Sequence, residues 1–207
     1  MFTEIIEDKS LSLGVMMVGG SQGRARREDD FYPTPPEATE ALLDVILNEI
    51  RGDIIHEPAC GDGAISKVLE KNGLTVISTD LIDRGFGKCG VNFLDSVIVT
   101  DVIITNPPFF LAEEFIRKAV SSPARRVYML LKATYFHAKE RTPLFNEFPP
   151  SRVMPLNFRL DFTGEGKPTM ECIWVEWNRY GNGVSLYGPI LGKGSSERCP
   201  YTIDMFR

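Results

Sequence analysis

Asn106-Pro107-Pro108-Phe109 is the stretch of this chain best suited to chemistry. It follows Asp101-Val102-Ile103-Ile104-Thr105, an apolar, β-branched run that reads as a buried strand. In an open α/β sheet, ligands bind beyond the carboxyl ends of strands. Two adjacent prolines fix φ and carry no N–H, so their carbonyls stay available as acceptors. An amide oxygen, a free carbonyl and an aromatic face together suit a planar group that bears an NH2.

The elements that must position this turn follow from the sequence upstream. Thr34-Pro35-Pro36-Glu37 predicts a helix start, with Thr34 as cap, Pro35 at the first helical position and Glu37 completing a capping box. That helix runs to about Ile50, with Ala38, Ala41, Leu42, Val45 and Ile46 on its apolar face. Its amino terminus is either a well-made helix start alone or also a carboxylate site. A short strand from Asp53 to His56 leads into Glu57-Pro58-Ala59-Cys60-Gly61-Asp62-Gly63, and a helix from Ala64 to Lys71 follows. Strand, glycine turn and helix is the layout of a nucleotide-type cofactor loop, where glycine lets a ligand approach the backbone. The spacing is neither GxGxxG nor GxxxxGK[ST], which disfavours a dinucleotide site and excludes a P-loop. The second strand, Thr75 to Thr79, ends at Asp80, an acid placed to hold ribose hydroxyls or to close a turn. Val91 to Asp95 leads toward a fourth strand, which carries the Asn106 turn at its end. Leu111 to Ser121 is a helix, and Arg126 to Leu131 a fifth strand ending at Lys132.

Beyond Ala133, prolines at 143, 149 and 150 break the pattern into a loop with room for a short helix. Arg152 to Phe158 and Met170 to Trp177 then form an antiparallel pair around the loop 161–167. The expected fold is a three-layer α/β sandwich: a mostly parallel sheet, its last strand antiparallel, with helices on both faces. Residues 1–30 are expected to be a flexible tail, whose Arg24, Arg26 and Arg27 suit a solvated segment better than a phosphate-contacting arm. The domain proper spans 31–180, and 181–207 extends it.

At 207 residues, 43% hydrophobic and 25% charged, the chain has the composition of one globular domain. A net charge of −5 excludes a wholly basic nucleic-acid binder, so any such binding must use a local patch. Cys60, Cys89, Cys172 and Cys199 show no metal-ligand spacing, which fits reduced thiols in a cytoplasmic protein without a metal site. The apolar run from Leu11 to Val18 is too short for a membrane span and lacks the basic flank of a signal peptide.

Glycine loop, acid after the second strand and Asn-Pro-Pro-Phe turn, in that order, resemble the S-adenosylmethionine-dependent amino-group methyltransferases, particularly the adenine-N6 DNA methyltransferases. Asp30-Phe31-Tyr32-Pro33-Thr34-Pro35 and the stretch from Phe162-Thr163-Gly164 to Trp174 are similar to small phage and prophage-type members. The resemblance implies a seven-stranded Rossmann-like sheet with S-adenosylmethionine as cofactor. By position it implies that Glu57, Ala59, Cys60, Gly61 and Gly63 line the methionine part, that Asp80 and Leu81 meet the ribose, and that Tyr32, Thr34 and Pro35 close over the methionine end. Asn92-Phe93 stands where the family carries an acid and an aromatic beside the adenine ring; Asn still offers an amide oxygen but without charge assistance.

Asn106 and Pro107 would then accept the two N–H groups of an exocyclic amine, with Pro108 shaping the turn and Asn106 also bordering the cofactor. Drawing the nitrogen toward tetrahedral geometry aims its lone pair and stabilises the positive charge that develops. Phe109 would stack on a base withdrawn from its helix. Lys132 is a further substrate contact, and Phe162 either supplies the opposite face or packs in the core. Carbon-5 methylation of cytosine is excluded, because no cysteine follows the proline and Cys60 lies in the cofactor loop. His56 is expected to be a satisfied core residue. The acceptor is expected to be nucleic acid, DNA before RNA; a protein glutamine, or a non-catalytic cofactor-binding subunit, is the alternative. With no room for a recognition domain, target choice would fall to short loops, the tails, a partner subunit or a second copy of the chain.

Overall fold

Alternation along the strands sorts the interior into two faces, since successive side chains point to opposite sides of a sheet. In strand β3 (Val102–Thr105), Val102 and Ile104 join one hydrophobic cluster and Ile103 the other. In β4 (Arg126–Lys132), Tyr128 and Leu130 oppose Val127, Met129 and Leu131; in β6 (Cys172–Asn178), Cys172 and Trp174 oppose Ile173, Val175 and Trp177. Strands buried on both faces need a helical layer on each. Helices α1 (Pro36–Ile50) and α2 (Ala64–Lys71) cover the first face with Leu42, Ile46, Ile65 and Leu69. Helices α3 (Ala112–Val120) and α4 (Thr142–Glu147) cover the second with Phe115, Ile116, Ala119 and Leu144. This computed structural model describes residues 31–181, 186–188 and 191–192, all in one compact unit that begins at Phe31. The expected tail at 1–30, with Arg24, Arg26 and Arg27, lies outside the described residues, as does most of 181–207.

The remaining strands are β1 (Ile54–Glu57), β2 (Thr75–Ser78), β5 (Arg152–Pro155) and β7 (Leu186–Tyr187). The seven strands run in the order β2-β1-β3-β4-β6-β5-β7. β1, β2, β3 and β4 are mutually parallel; β6 is antiparallel to both β4 and β5, and β7 lies parallel to β5 at the edge. Register pairs Glu57 with Ser78 and Thr105 with Met129, which brings the carboxyl ends of the parallel strands to one edge. The order reverses between β1 and β3, so the crevice expected of such a sheet opens between the glycine loop after β1 and the Asn106 turn after β3.

Two local expectations are corrected. The run from Val91 to Asp95, with a 3-10 turn at Phe93–Asp95 capped by Asn92, whose Oδ1 accepts from Leu94 N–H at 3.1 Å, leads to the third strand and not a fourth. The Asn106 turn therefore follows the third strand. Thr34 does not cap α1, which begins at Pro36 behind Pro35 with no side-chain cap at all.

The opposite edge is held by charge. Glu176 of β6 is 1% exposed and accepts from Arg126 Nη1 at 2.8 Å, from Tyr128 Oη at 3.2 Å and from Arg152 Nε. Both arginines also bind Glu49 near the end of α1, Arg152 in a fork at 3.0 and 2.7 Å. One buried carboxylate thus joins three strands, and its arginine partners extend the network to a helix. Glu176→Gln is expected to destabilise the fold by about 3 kcal/mol, because it leaves two partly desolvated guanidinium groups to share the single carboxylate of Glu49. Urea denaturation measures this, and a loss below about 0.5 kcal/mol would mean that solvent already screens the cluster.

Candidate active site

The glycine loop is built around backbone strain that only glycine tolerates. Gly61 and Gly63 have φ of 56° and 83°, and a Cβ at either would strike an aromatic ring, Phe31 Cε2 at 2.3 Å and Phe86 Cδ1 at 2.5 Å. Phe31 and Phe86 therefore wall the loop. Sequence reasoning missed both, although the glycines flanking Phe86 signal a tight turn on the same edge as Asp80. Arg84 lies over the Phe31 ring and Lys67 over Phe86.

Asp80 ties this loop to the second strand. Its Oδ2 accepts from Gly61 N–H and its Oδ1 from Ile82 N–H, both at 2.8 Å, which fixes the carboxylate and leaves lone pairs for hydroxyl donors. Cys60 is buried, its N–H donates to the Thr79 carbonyl at 3.0 Å, and burial pushes its thiol up to about 12. Ala59 is partly exposed on this loop and Leu81 is exposed beside Asp80. Asp62 has a buried Oδ1 with no partner, a third residue that sequence reasoning passed over.

Glu57 is 2% exposed, and its Oε2 accepts from Ser66 N–H at 2.8 Å and from the Ser66 hydroxyl. Its carboxyl thus braces the first turns of α2 against β1 behind the loop. Phe93 is likewise buried, 4.8 Å from the Phe115 ring and 5.9 Å from His56. The Asn92 side chain is engaged in its own turn, with Nδ2 on Asp95 at 2.6 Å. His56 Nε2 meets Thr79 Oγ1 at 2.9 Å inside the core, as expected of a satisfied histidine.

Across the crevice, Asn106 Nδ2 donates to Thr34 Oγ1 at 3.1 Å, while Asn106 Oδ1 is buried with no partner. The Pro108 carbonyl accepts from Leu111 N–H at 2.9 Å, and among the described residues nothing donates to that of Pro107. Two acceptors, one amide and one peptide, thus stand unmatched at the end of β3. Phe109 lies 6.1 Å from Tyr32 with the ring planes inclined by 29°, and Lys132 Nζ sits 4.4 Å from the Phe109 centroid. Phe162 is 6% exposed, packs in the core and meets Tyr32 edge-on at 6.2 Å. Pro35 is half-buried beside Thr34. The structure brings Tyr32, Thr34, Asn106, Phe109 and Lys132 together, and it sets Phe162 behind Tyr32.

No protein-family profile matches this sequence, and no curated protein does. Solved structures do. A candidate RNA methyltransferase from Pyrococcus horikoshii superposes with a TM-score of 0.59 at 18% identity, over 82% of this chain and 96% of that one. A candidate class I S-adenosylmethionine-dependent methyltransferase from Listeria monocytogenes gives 0.57 at 13% identity, over 83% and 69%. The fold is the Rossmann-like methyltransferase fold. The same fold is seen in a modification subunit of a candidate type I restriction enzyme from Vibrio vulnificus, with a TM-score of 0.53 at 14% identity, over 76% of this chain and 46% of that one. Within this methyltransferase fold, glycine loop, Asp80 and Asn106 turn sit together at the carboxyl edge of the sheet.

Glu57 gives the edge a pH signature. Burial, with Asp80 and Asp62 nearby, raises its carboxyl from 4.5 to about 8 against the pull of the Ser66 donors. Between those values the folded chain holds a proton that the unfolded chain releases. The stability it confers is complete below about pH 4.5 and is lost as pH rises through about 8. His56 has the opposite sign: burial lowers it from 6.5 to about 4, so its share is complete above 6.5 and lost as pH falls through about 4. Glu57→Gln is expected to flatten the fall in stability between about pH 6.5 and about 8, where His56 is silent. Parallel denaturation midpoints for variant and wild type across that window would contradict it.

Proposed function

We propose that the chain binds S-adenosylmethionine and transfers its methyl group to an exocyclic amino group, most simply N6 of adenine in DNA. The observation that carries this is the buried, unpartnered Oδ1 of Asn106 beside the open Pro107 carbonyl. A buried acceptor without a donor costs about 1–3 kcal/mol, and an amine with two N–H groups is the ligand that would satisfy both acceptors.

The donor set fits the cofactor. The fixed Asp80 carboxylate suits paired ribose hydroxyls, and the Phe31 and Phe86 rings that lie against Gly61 and Gly63 would flank a ligand at this loop. S-adenosylmethionine would supply a sulfonium methyl to which a nitrogen lone pair can bond while sulfur keeps the old bonding pair. Asn106 and Pro107 would hold both N–H groups of the acceptor, orienting the lone pair and stabilising positive charge on nitrogen until one of those protons is released to solvent. No side chain need form a covalent intermediate. Phe109 and Tyr32 face each other with centroids 6.1 Å apart and planes inclined by 29°, so a small opening of the pair would let them grip a base, with Phe162 backing Tyr32. Lys132 beside Phe109 would meet the flanking phosphate charge.

DNA is favoured over RNA by the sequence likeness to small phage-type adenine-N6 enzymes, and the restriction-type neighbour is compatible with it. This chain spans less than half of that subunit, so target recognition would come from a partner subunit or a second copy, and alone it would show little sequence preference. Reduced thiols at Cys60 and Cys172 accord with a cytoplasmic setting. The test is mass spectrometry of nucleosides from DNA and RNA of cells expressing the wild type and Asn106→Ala. N6-methyladenine in DNA is expected with the wild type. In a steady-state assay, Asn106→Ala is expected to lower kcat by ~10²–10³-fold, the effect of losing one preorganised polar contact. Methylation confined to RNA would reassign the acceptor, and unchanged turnover of Asn106→Ala would sink the mechanism.

A further inference from the structure

Resting on that function, we infer that the loop 161–167 is the surface that holds nucleic acid beside the target base, with Lys167 as its phosphate contact and Asp161 as the positioning residue that presents it. The connection from β5 to β6 stands at the Tyr32–Phe109 pair at both of its ends. β6 is antiparallel to β4 and to β5, so β5 runs the same way as β4 and the chain leaves it at the carboxyl edge. On the way out, Phe162 meets Tyr32, one wall of the slot. On the way back, the Glu171 carbonyl accepts from Ala133 N–H at 2.9 Å and Cys172 pairs with Lys132, whose ammonium lies over Phe109, the other wall. A bridge between Leu160 and Met170 closes the loop. A base gripped between Tyr32 and Phe109 therefore has this loop on its flank.

One side chain orders the loop. Residues 164–169 are all exposed, and a Cβ added at Gly164 or Gly166 would meet nothing within 4 Å. Packing does not hold the tip, and an unpacked loop ordinarily keeps its conformational entropy. Asp161 holds it instead. Its Oδ1 accepts from Thr163 N–H at 3.0 Å, from the Thr163 hydroxyl at 2.6 Å and from Gly164 N–H at 3.1 Å. Its Oδ2 accepts from Gly166 N–H at 2.6 Å and from Lys167 N–H at 3.1 Å. Gly164 and Gly166 have φ of 71° and 75°, which lets the backbone curl around the carboxylate. These donors, the Thr163 hydroxyl first, hold the Asp161 carboxyl below its usual value. A tip fixed in this way binds without first losing conformational freedom.

Charge points to what the tip contacts. Arg159 is taken by Glu171 at 2.6 Å, whereas the Lys167 side chain is exposed and has no ion pair among the described residues. A chain of net charge −5 needs local cations to hold an anionic strand, and a lysine on a fixed backbone beside the slot is one.

The test is fluorescence anisotropy of a fluorescein-labelled, adenine-containing DNA duplex with the full chain, read as affinity against salt. Lys167→Ala is expected to weaken binding about fivefold at ~0.1 M salt and to reduce the slope of log affinity against log salt by about 0.9, as one lost phosphate contact does. Its calorimetric affinity for the methyl donor is expected to match wild type, because Lys167 lies outside the cofactor loop. Asp161→Asn separates positioning from charge. Removing a negative charge by itself tightens binding to an anion. With the tip released, Asp161→Asn is expected to weaken binding about threefold instead. In a Lys167→Ala background it is expected to cause no further loss, because the contact it presents is already gone. Tighter duplex binding by Asp161→Asn, or an unchanged salt slope in Lys167→Ala, would overturn the inference and leave the proposed function standing. The same losses seen with the matching RNA and not with the duplex would support the surface and reassign the acceptor. A wild type with affinity for neither would overturn the surface and the nucleic-acid reading together. Should Asp161→Asn fail to fold, the salt slope of Lys167→Ala decides alone.

Discussion

One side-chain amide carries the demands of this site. Asn106 has its donor end satisfied by Thr34 and its acceptor end sealed from water with nothing to bind. A folded chain avoids such an acceptor unless the surroundings give it no alternative. Here they give none: Val102 to Thr105 are all buried, β3 is clamped between β1 and β4, and two prolines lock the backbone directly after the amide. The acceptor is thus held by a fully buried strand that is paired on both sides. An asparagine on a mobile loop would turn to satisfy itself.

The sheet divides its polar groups between two edges with opposite logic. At the amino edge every buried charge is matched, with Glu176 shared among Arg126, Arg152 and Tyr128, and that edge ties strands to a helix. At the carboxyl edge Asp62, Thr105 and Asn106 each hold a buried oxygen without a partner. The contrast is one of charge, since Arg126 Nε within the amino-edge cluster is itself buried without a partner. Glu57 stands between the two: its carboxyl faces Ser66 in the core while its strand feeds the glycine loop, so it stiffens the site from behind.

Much of this was legible in the sequence because it depends on local pattern. The near-continuous apolar runs of β3, β4 and β6 read as strands buried on both faces, and they are. The glycines at 61 and 63 and the proline pair at 107 and 108 are residues whose backbone preferences speak for themselves. What was hidden depends on contacts far apart in the chain. Thr34 has every local feature of a cap, and only β3, some seventy residues on, draws its hydroxyl away. Phe31 and Phe86 are unremarkable in sequence, and they become walls of the site only because two glycines lack side chains beneath them.

A crystal structure with a non-transferable analogue of S-adenosylmethionine and an adenine-containing oligonucleotide tests the central claim most directly. The adenine amino nitrogen is expected about 3 Å from both Asn106 Oδ1 and the Pro107 carbonyl, with the Thr34 contact kept. A base bound elsewhere, or an Asn106 amide turned so that its NH2 faces the ligand, would contradict it.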